Sequence, residues 1–108
     1  MRKMETLLLL SPELTAEERE AVIANLLGVI ERENGRLLEA DHWGMRDLAY
    51  PVQKQMRGYY VRLEYVAPSP LVAELERIIR ITDGIFKFLT VKLAEEVEEA
   101  TESGKEVA

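Results

Sequence analysis

"YYVRLEYVAPSPLVAELERIIRITDG", Tyr59–Gly84, changes its apolar period halfway along. Val61, Leu63 and Tyr65 alternate with Arg62 and Glu64, the pattern of a strand with one buried and one wet face. Beyond Pro68 the period lengthens. Leu71, Leu75, Ile78, Ile79 and Thr82 fall on one side of a helix. Ser69-Pro70 reads as an N-cap followed by proline at the first helical position, and Asp83-Gly84 as the stop. "IFKFLTVKL", residues 85–93, is then a strand.

The first half repeats this logic. "MRKMETLLLL" predicts a strand over about Lys3–Leu10, and its leucine run predicts burial on both faces, hence a central position. Thr15 with Glu18 three residues later is a capping box. Ile23, Leu26, Leu27 and Ile30 form the apolar face of the helix it starts, and Asn34-Gly35 ends that helix, with Gly35 suited to a left-handed turn. A second strand runs from about Arg36 into "WGMRDLAYPV". Pro51 predicts its end, and "QKQMRG" reads as a polar connection. The order is β-α-β-β-α-β. This is an α+β, ferredoxin-like fold: four antiparallel strands with two helices on one face and the other face open to a partner.

At 108 residues and 47% hydrophobic, the chain fits one domain with a modest core. We divide it into a domain over residues 1–93 and an acidic tail over 94–108, whose glutamates and few large apolar residues predict disorder. No apolar run approaches the roughly 20 residues of a membrane span. "LLLL" is too short for a signal peptide. The absence of cysteine excludes disulfides and thiolate chemistry and is compatible with the cytoplasm. Net charge is −6, unevenly spread. Residues 36–92 hold nine basic and seven acidic groups, so the middle is slightly positive within an acidic chain.

Catalytic chemistry is missing from the pattern. His42 is the one histidine, and no second histidine or cysteine could complete a usual zinc site. Glu17-Glu18 suits a helix start, and "SPEL" cannot cradle a phosphate. We therefore expect no enzyme, metal, cofactor or small-molecule substrate. "RGYY", Arg57–Tyr60, opens like the aromatic motif of RNA-recognition domains, but Val61, Arg62 and Leu63 follow where stacking rings are needed. RNA contact, if made, is then electrostatic and scattered, with Lys3 and Arg57 as candidates by charge and position. Read from residues alone, Trp43, Tyr59, Tyr60 and Tyr65 fit cross-strand packing better than binding.

"WGMRDLAYPVQK", the following "RGYY" and the later "LERIIRITDGIFKFLTVKL" resemble the family of the sixth protein of the bacterial small ribosomal subunit, over about residues 2–93. Met4 stands where that family usually has tyrosine, and Met45 and Asp47 where it often has basic residues. The resemblance implies a structural protein of the cytoplasmic ribosome. It also implies binding to the central domain of small-subunit ribosomal RNA, paired with the eighteenth small-subunit protein. Within the matching segments it implies RNA contact by Arg2, Arg46, Lys54, Arg80, Lys87 and Lys92. Aromatic residues are favoured at interface centres, so Trp43, Leu48 and Tyr50 are the candidate partner surface. The alternative is an interaction or ligand-binding module of the same fold outside the ribosome.

Overall fold

The structure, a computed structural model, describes residues 1–94. The elements are β1 (Arg2–Leu10), α1 (Ala16–Arg32), β2 (Arg36–Val52), β3 (Gln55–Ala67), α2 (Ser69–Arg80) and β4 (Ile85–Ala94). Strand order is β2-β3-β1-β4, every pair antiparallel. The leucine-rich β1 is internal, as its two-sided apolar character requires. The acidic tail expected over 94–108 lies outside the described residues, apart from Ala94, which closes β4.

Residues of β1 alternate between two environments. Met4, Thr6, Leu8 and Leu10 meet Leu26 and Ile30 of α1 and Leu71, Leu75 and Ile79 of α2 in one core, with Val61, Leu63 and Tyr65 of β3 beside them. The intervening Lys3, Glu5, Leu7 and Leu9 share the opposite, uncovered face with Tyr60, Arg62 and Glu64. Inside the core, the Thr6 hydroxyl lies 2.8 Å from the Tyr65 phenol and 3.0 Å from the Thr90 hydroxyl. The hydroxyls satisfy one another where water is excluded.

The capping box forms as expected: Glu18 N–H donates to Thr15 Oγ1, and Thr15 N–H donates to the Glu18 carboxylate. Three local expectations need correction. At the end of α1 the left-handed residue is Asn34, with φ of 71°, and not Gly35. Gly35 is needed for room, since a Cβ there would lie 2.4 Å from Cδ1 of Leu71 and 2.8 Å from the carbonyl of Val66. At the start of α2 the N-cap is Pro68, without a side-chain cap bond, and Ser69 is already helical.

The third correction is larger. β2 does not stop at Pro51, and "QKQMRG" is not a loop. Gln53 and Lys54 alone make the turn, with φ of 52° and 65°, and β3 starts at Gln55. Two left-handed residues match the twist of a tight hairpin. Pro51 is tolerated because β2 is an edge strand, where a missing N–H costs no ladder bond. The hairpin thus projects as a long arm. The Gln55 side-chain amide donates to Glu13 at 3.1 Å, tying the arm to the β1–α1 turn.

Candidate RNA and partner interface

The open face has a charged half and an apolar half. In the charged half, Arg62 on β3 is bonded to Glu5 on β1, to Glu64 at 2.7 Å and to Glu39 on β2 at 3.4 Å. Lys3 reaches Glu64 at 3.0 Å. The hydrogen bond to Glu5 is the main cause that raises the Arg62 guanidinium above its ordinary value. Partial burial works to raise the Glu64 carboxyl, but bonds from Lys3 and Arg62 outweigh it and hold it below the usual range. The network crosses three strands and is largely internally neutralised.

The apolar half is a groove of about 320 Å³ lined by Leu7, Leu9, Tyr60, Phe88, Leu89 and the stem of Lys87. A second hollow of about 230 Å³ continues it beneath the arm, with Leu48, Ala49, Tyr50 and Val52 on its wall and Asp47 at its rim. Leu9, Tyr60 and Lys87 line both. Gly58 helps shape this surface: a Cβ there would meet Cδ1 of Leu9 at 2.2 Å, so the missing side chain lets Leu9 lie across β3.

Trp43, Leu48 and Tyr50 all belong to this region. Trp43 is 42% exposed, its ring 6.3 Å from that of Tyr60 and its indole N–H donating to Asp41 at 3.0 Å. Gly44, at φ of 93°, accompanies a register shift between His42 and Gly44 that turns the strand here. Leu48 is half-buried in the second hollow. Tyr50 is 62% exposed, with the Lys87 ammonium 5.5 Å from its ring centre. No local pattern places Leu9 and Tyr60 beside them, because their face depends on the register of β1 against β3.

The eight basic candidates do not form one patch. Arg2, Lys3 and Lys92 gather at the end of the sheet where β1 starts and β4 finishes. Arg36 opens β2 at the same end, in the row of Val66 and Lys3, and sequence reasoning overlooked it. Arg46, Lys54 and Arg57 lie on the arm, with Lys87 close to its base. Arg80 ends α2, 3.7 Å from Glu76 and stacked 5.3 Å from the Phe88 ring centre. Several are engaged within the domain: Lys3 with Glu64, Arg57 with Asp47 at 3.2 Å, and Arg46 with the carbonyl of Trp43.

Among the described residues no converging catalytic set accompanies them. His42 Nδ1 lies 3.1 Å from the Tyr59 hydroxyl, and Arg19 stacks 4.0 Å from the same ring's centre. Among the described residues, no group of three or more His, Asp or Glu side chains could hold a metal ion. None of their helices is long and apolar enough to cross a membrane.

The geometry defines a class: a ferredoxin-like scaffold, with two helices packed on one face of a four-stranded antiparallel sheet and the other face uncovered. The family described as ribosomal protein S6 matches residues 3–92, and the chain belongs to that family. It is 76% identical over 99 residues to small ribosomal subunit protein bS6 of Nitratidesulfovibrio vulgaris (strain DP4), covering 92% of this chain and 98% of the relative. Identity to bS6 of Oleidesulfovibrio alaskensis is 74% over 100 residues, covering 93% and 99%. The crystal structure of 30S ribosomal protein S6 from Thermotoga maritima superposes with a TM-score of 0.80 at 27% identity, covering 84% of this chain and 86% of that one. Membership makes the chain a structural component of the small ribosomal subunit, hence of the cytoplasm.

Proposed function

We propose that this domain binds the central domain of small-subunit ribosomal RNA jointly with the eighteenth small-subunit protein, and performs no catalysis. The observation that carries the joint reading is the division of the surface. Basic residues sit at two ends of the sheet and are partly engaged by carboxylates, whereas the apolar groove and the arm offer Trp43, Leu48 and Tyr50 between them. Phosphate binding needs net local positive charge. The chain's charge of −6 gives it little affinity for RNA alone. A basic partner seated on the apolar half would add its own phosphate contacts to those of Arg2, Arg46, Lys54 and Lys92.

The test is a filter-binding titration of the ribosomal RNA central domain with this protein, with the partner, and with both. Binding that requires both proteins supports the reading. Tight binding by this chain alone sinks it. Trp43→Ala locates the partner surface. The indole is exposed and bonded only to the exposed Asp41, so its loss should cost about 1 kcal/mol of stability or less. Partner affinity should fall by far more, since truncating a central interface aromatic typically costs about 2 kcal/mol or more. A stability collapse with unaltered affinity per folded molecule would make Trp43 a packing residue instead.

A further inference from the structure

The turn that closes α1 is the dipeptide Asn34-Gly35, and each residue serves it for a separate structural reason. Asn34 holds the left-handed conformation, at φ of 71°, which asparagine enters more readily than most residues with a side chain. Gly35 supplies room against Leu71 and the Val66 carbonyl. Asn34 N–H donates to the Glu31 carbonyl at 3.1 Å and Gly35 N–H to the Ile30 carbonyl at 2.8 Å, the paired bonds of a Schellman turn.

The same dipeptide is chemically labile. A glycine has no Cβ to shield its amide nitrogen, and after an asparagine that nitrogen can attack the neighbouring side-chain amide. Asn34 is exposed, so water and base reach it. In the folded chain, however, the attacking group is engaged. Gly35 N–H is bonded to the carbonyl of Ile30, a residue with no exposed surface. The cyclic imide that attack would produce carries no hydrogen on this nitrogen, so forming it breaks the bond to Ile30. The turn must open before the ring can close.

We infer that Asn34 is a site of spontaneous deamidation, gated by opening of the junction between α1 and β2. In the open state the Gly35 nitrogen gives its proton to solvent base and bonds to Cγ of Asn34, and the side-chain amide leaves as ammonia. Water then opens the ring. Attack at the side-chain carbonyl leaves aspartate; attack at the main-chain carbonyl leaves isoaspartate, with the chain running through the former side chain. Both products weaken the turn. Aspartate adds negative charge at the C-terminus of a helix already flanked there by Glu31 and Glu33, where the dipole opposes it. Isoaspartate lengthens the backbone by a carbon atom and shifts Gly35 from its slot against Leu71. The modification therefore records time the junction has spent open.

The test holds the full chain at mildly alkaline pH, folded and in guanidinium chloride, and follows position 34 by peptide mass spectrometry. Unfolded, Asn34 should convert while the chain's other asparagine, Asn25, which precedes the bulky Leu26, stays intact. Folded, conversion should be slower by roughly tenfold or more, since it proceeds from the open fraction alone. Hydrogen exchange at Gly35 N–H should be slowed by a similar factor, because one opening governs both. The modified chain, separated by its added charge, should melt below the unmodified one. Asn34→Gly should abolish the conversion and keep the fold, since glycine accepts the left-handed conformation. Equal rates in the folded and unfolded chain overturn the gate, and an intact Asn34 in the unfolded chain overturns the site. Slow conversion with an unprotected Gly35 N–H also overturns the inference, because the bond to Ile30 would then not be the lock.

Discussion

The Tyr65 phenol and the Thr6 hydroxyl lie 2.8 Å apart with both side chains fully buried, joining β3 to β1 beneath the helices. Burial raises the Tyr65 pKa, against the opposing pull of the hydrogen bond with Thr6. Tyr65→Phe should cost about 1 kcal/mol at neutral pH, since Thr6 keeps Thr90 as a partner. The alkaline behaviour separates the two proteins further. A raised folded pKa contributes stability that is complete below the unfolded tyrosine value of about 10 and disappears as pH climbs through the folded value. Urea midpoints measured from pH 8 to 11 should fall more steeply for wild type than for Tyr65→Phe. Parallel curves would mean that the phenol ionises without penalty.

Glu64 gives the mirror case in acid. Its folded pKa is depressed, so its contribution is present above the unfolded carboxylate value and is lost as pH drops through the folded value. Glu64→Gln should lose about 1–2 kcal/mol at pH 7, leaving Arg62 and Lys3 with one carboxylate fewer. It should also show a shallower decline between neutrality and pH 3. An unchanged acid limb would place the acid sensitivity in other carboxylates.

Two glycines predict opposite signs. Gly28 lies inside α1, and a Cβ there meets nothing within 4 Å. Gly28→Ala should stabilise by roughly 0.5–1 kcal/mol through helix propensity alone. Gly35→Ala must displace Leu71 and press on the Val66 carbonyl, and should destabilise by about 1–3 kcal/mol. Thermal melts of the pair check both. Equal shifts would show that the α1–β2 junction yields to the added methyl group.

The arm supplies a fourth test. Gln53 and Lys54 both hold positive φ, so Gln53-Lys54→Asn-Gly should favour the same turn at lower conformational cost. Stability should rise by up to about 1 kcal/mol. If Lys54 contacts RNA, joint RNA affinity should fall at the same time. A gain in stability with unchanged affinity would remove Lys54 from the RNA surface.

These contrasts mark how far the residues speak for themselves. The Thr15–Glu18 box, the period of Leu71–Leu75–Ile79 and the Val61–Leu63–Tyr65 alternation each depend on neighbours within one turn or one pleat, so they were legible in the chain. Pro51 misled because its cost depends on whether its strand is central or at the edge, a property of the assembled sheet. Gly35 misled because its reason is a leucine thirty-six positions away. The candidate site was legible as a list of residue types and illegible as a surface. Nothing local shows that Lys3 and Arg57 meet carboxylates, or that Tyr60 and Leu9 share a groove with Tyr50.

The central placement of β1 also bears on how the molecule comes into being. Of the described elements synthesis delivers β1 first, yet its two neighbours are β3 and β4, the latter the last of them. The nascent leucine run therefore emerges with no strand to receive it until Gln55–Ala67 has left the ribosome, and its other side waits for Ile85–Ala94. Closing contacts between the beginning and the end of a domain is slow, because chain entropy is lost before the pairing is won. A particle component built this way spends the interval as a sticky, half-paired chain, and the cell's holding chaperones are the natural company for it.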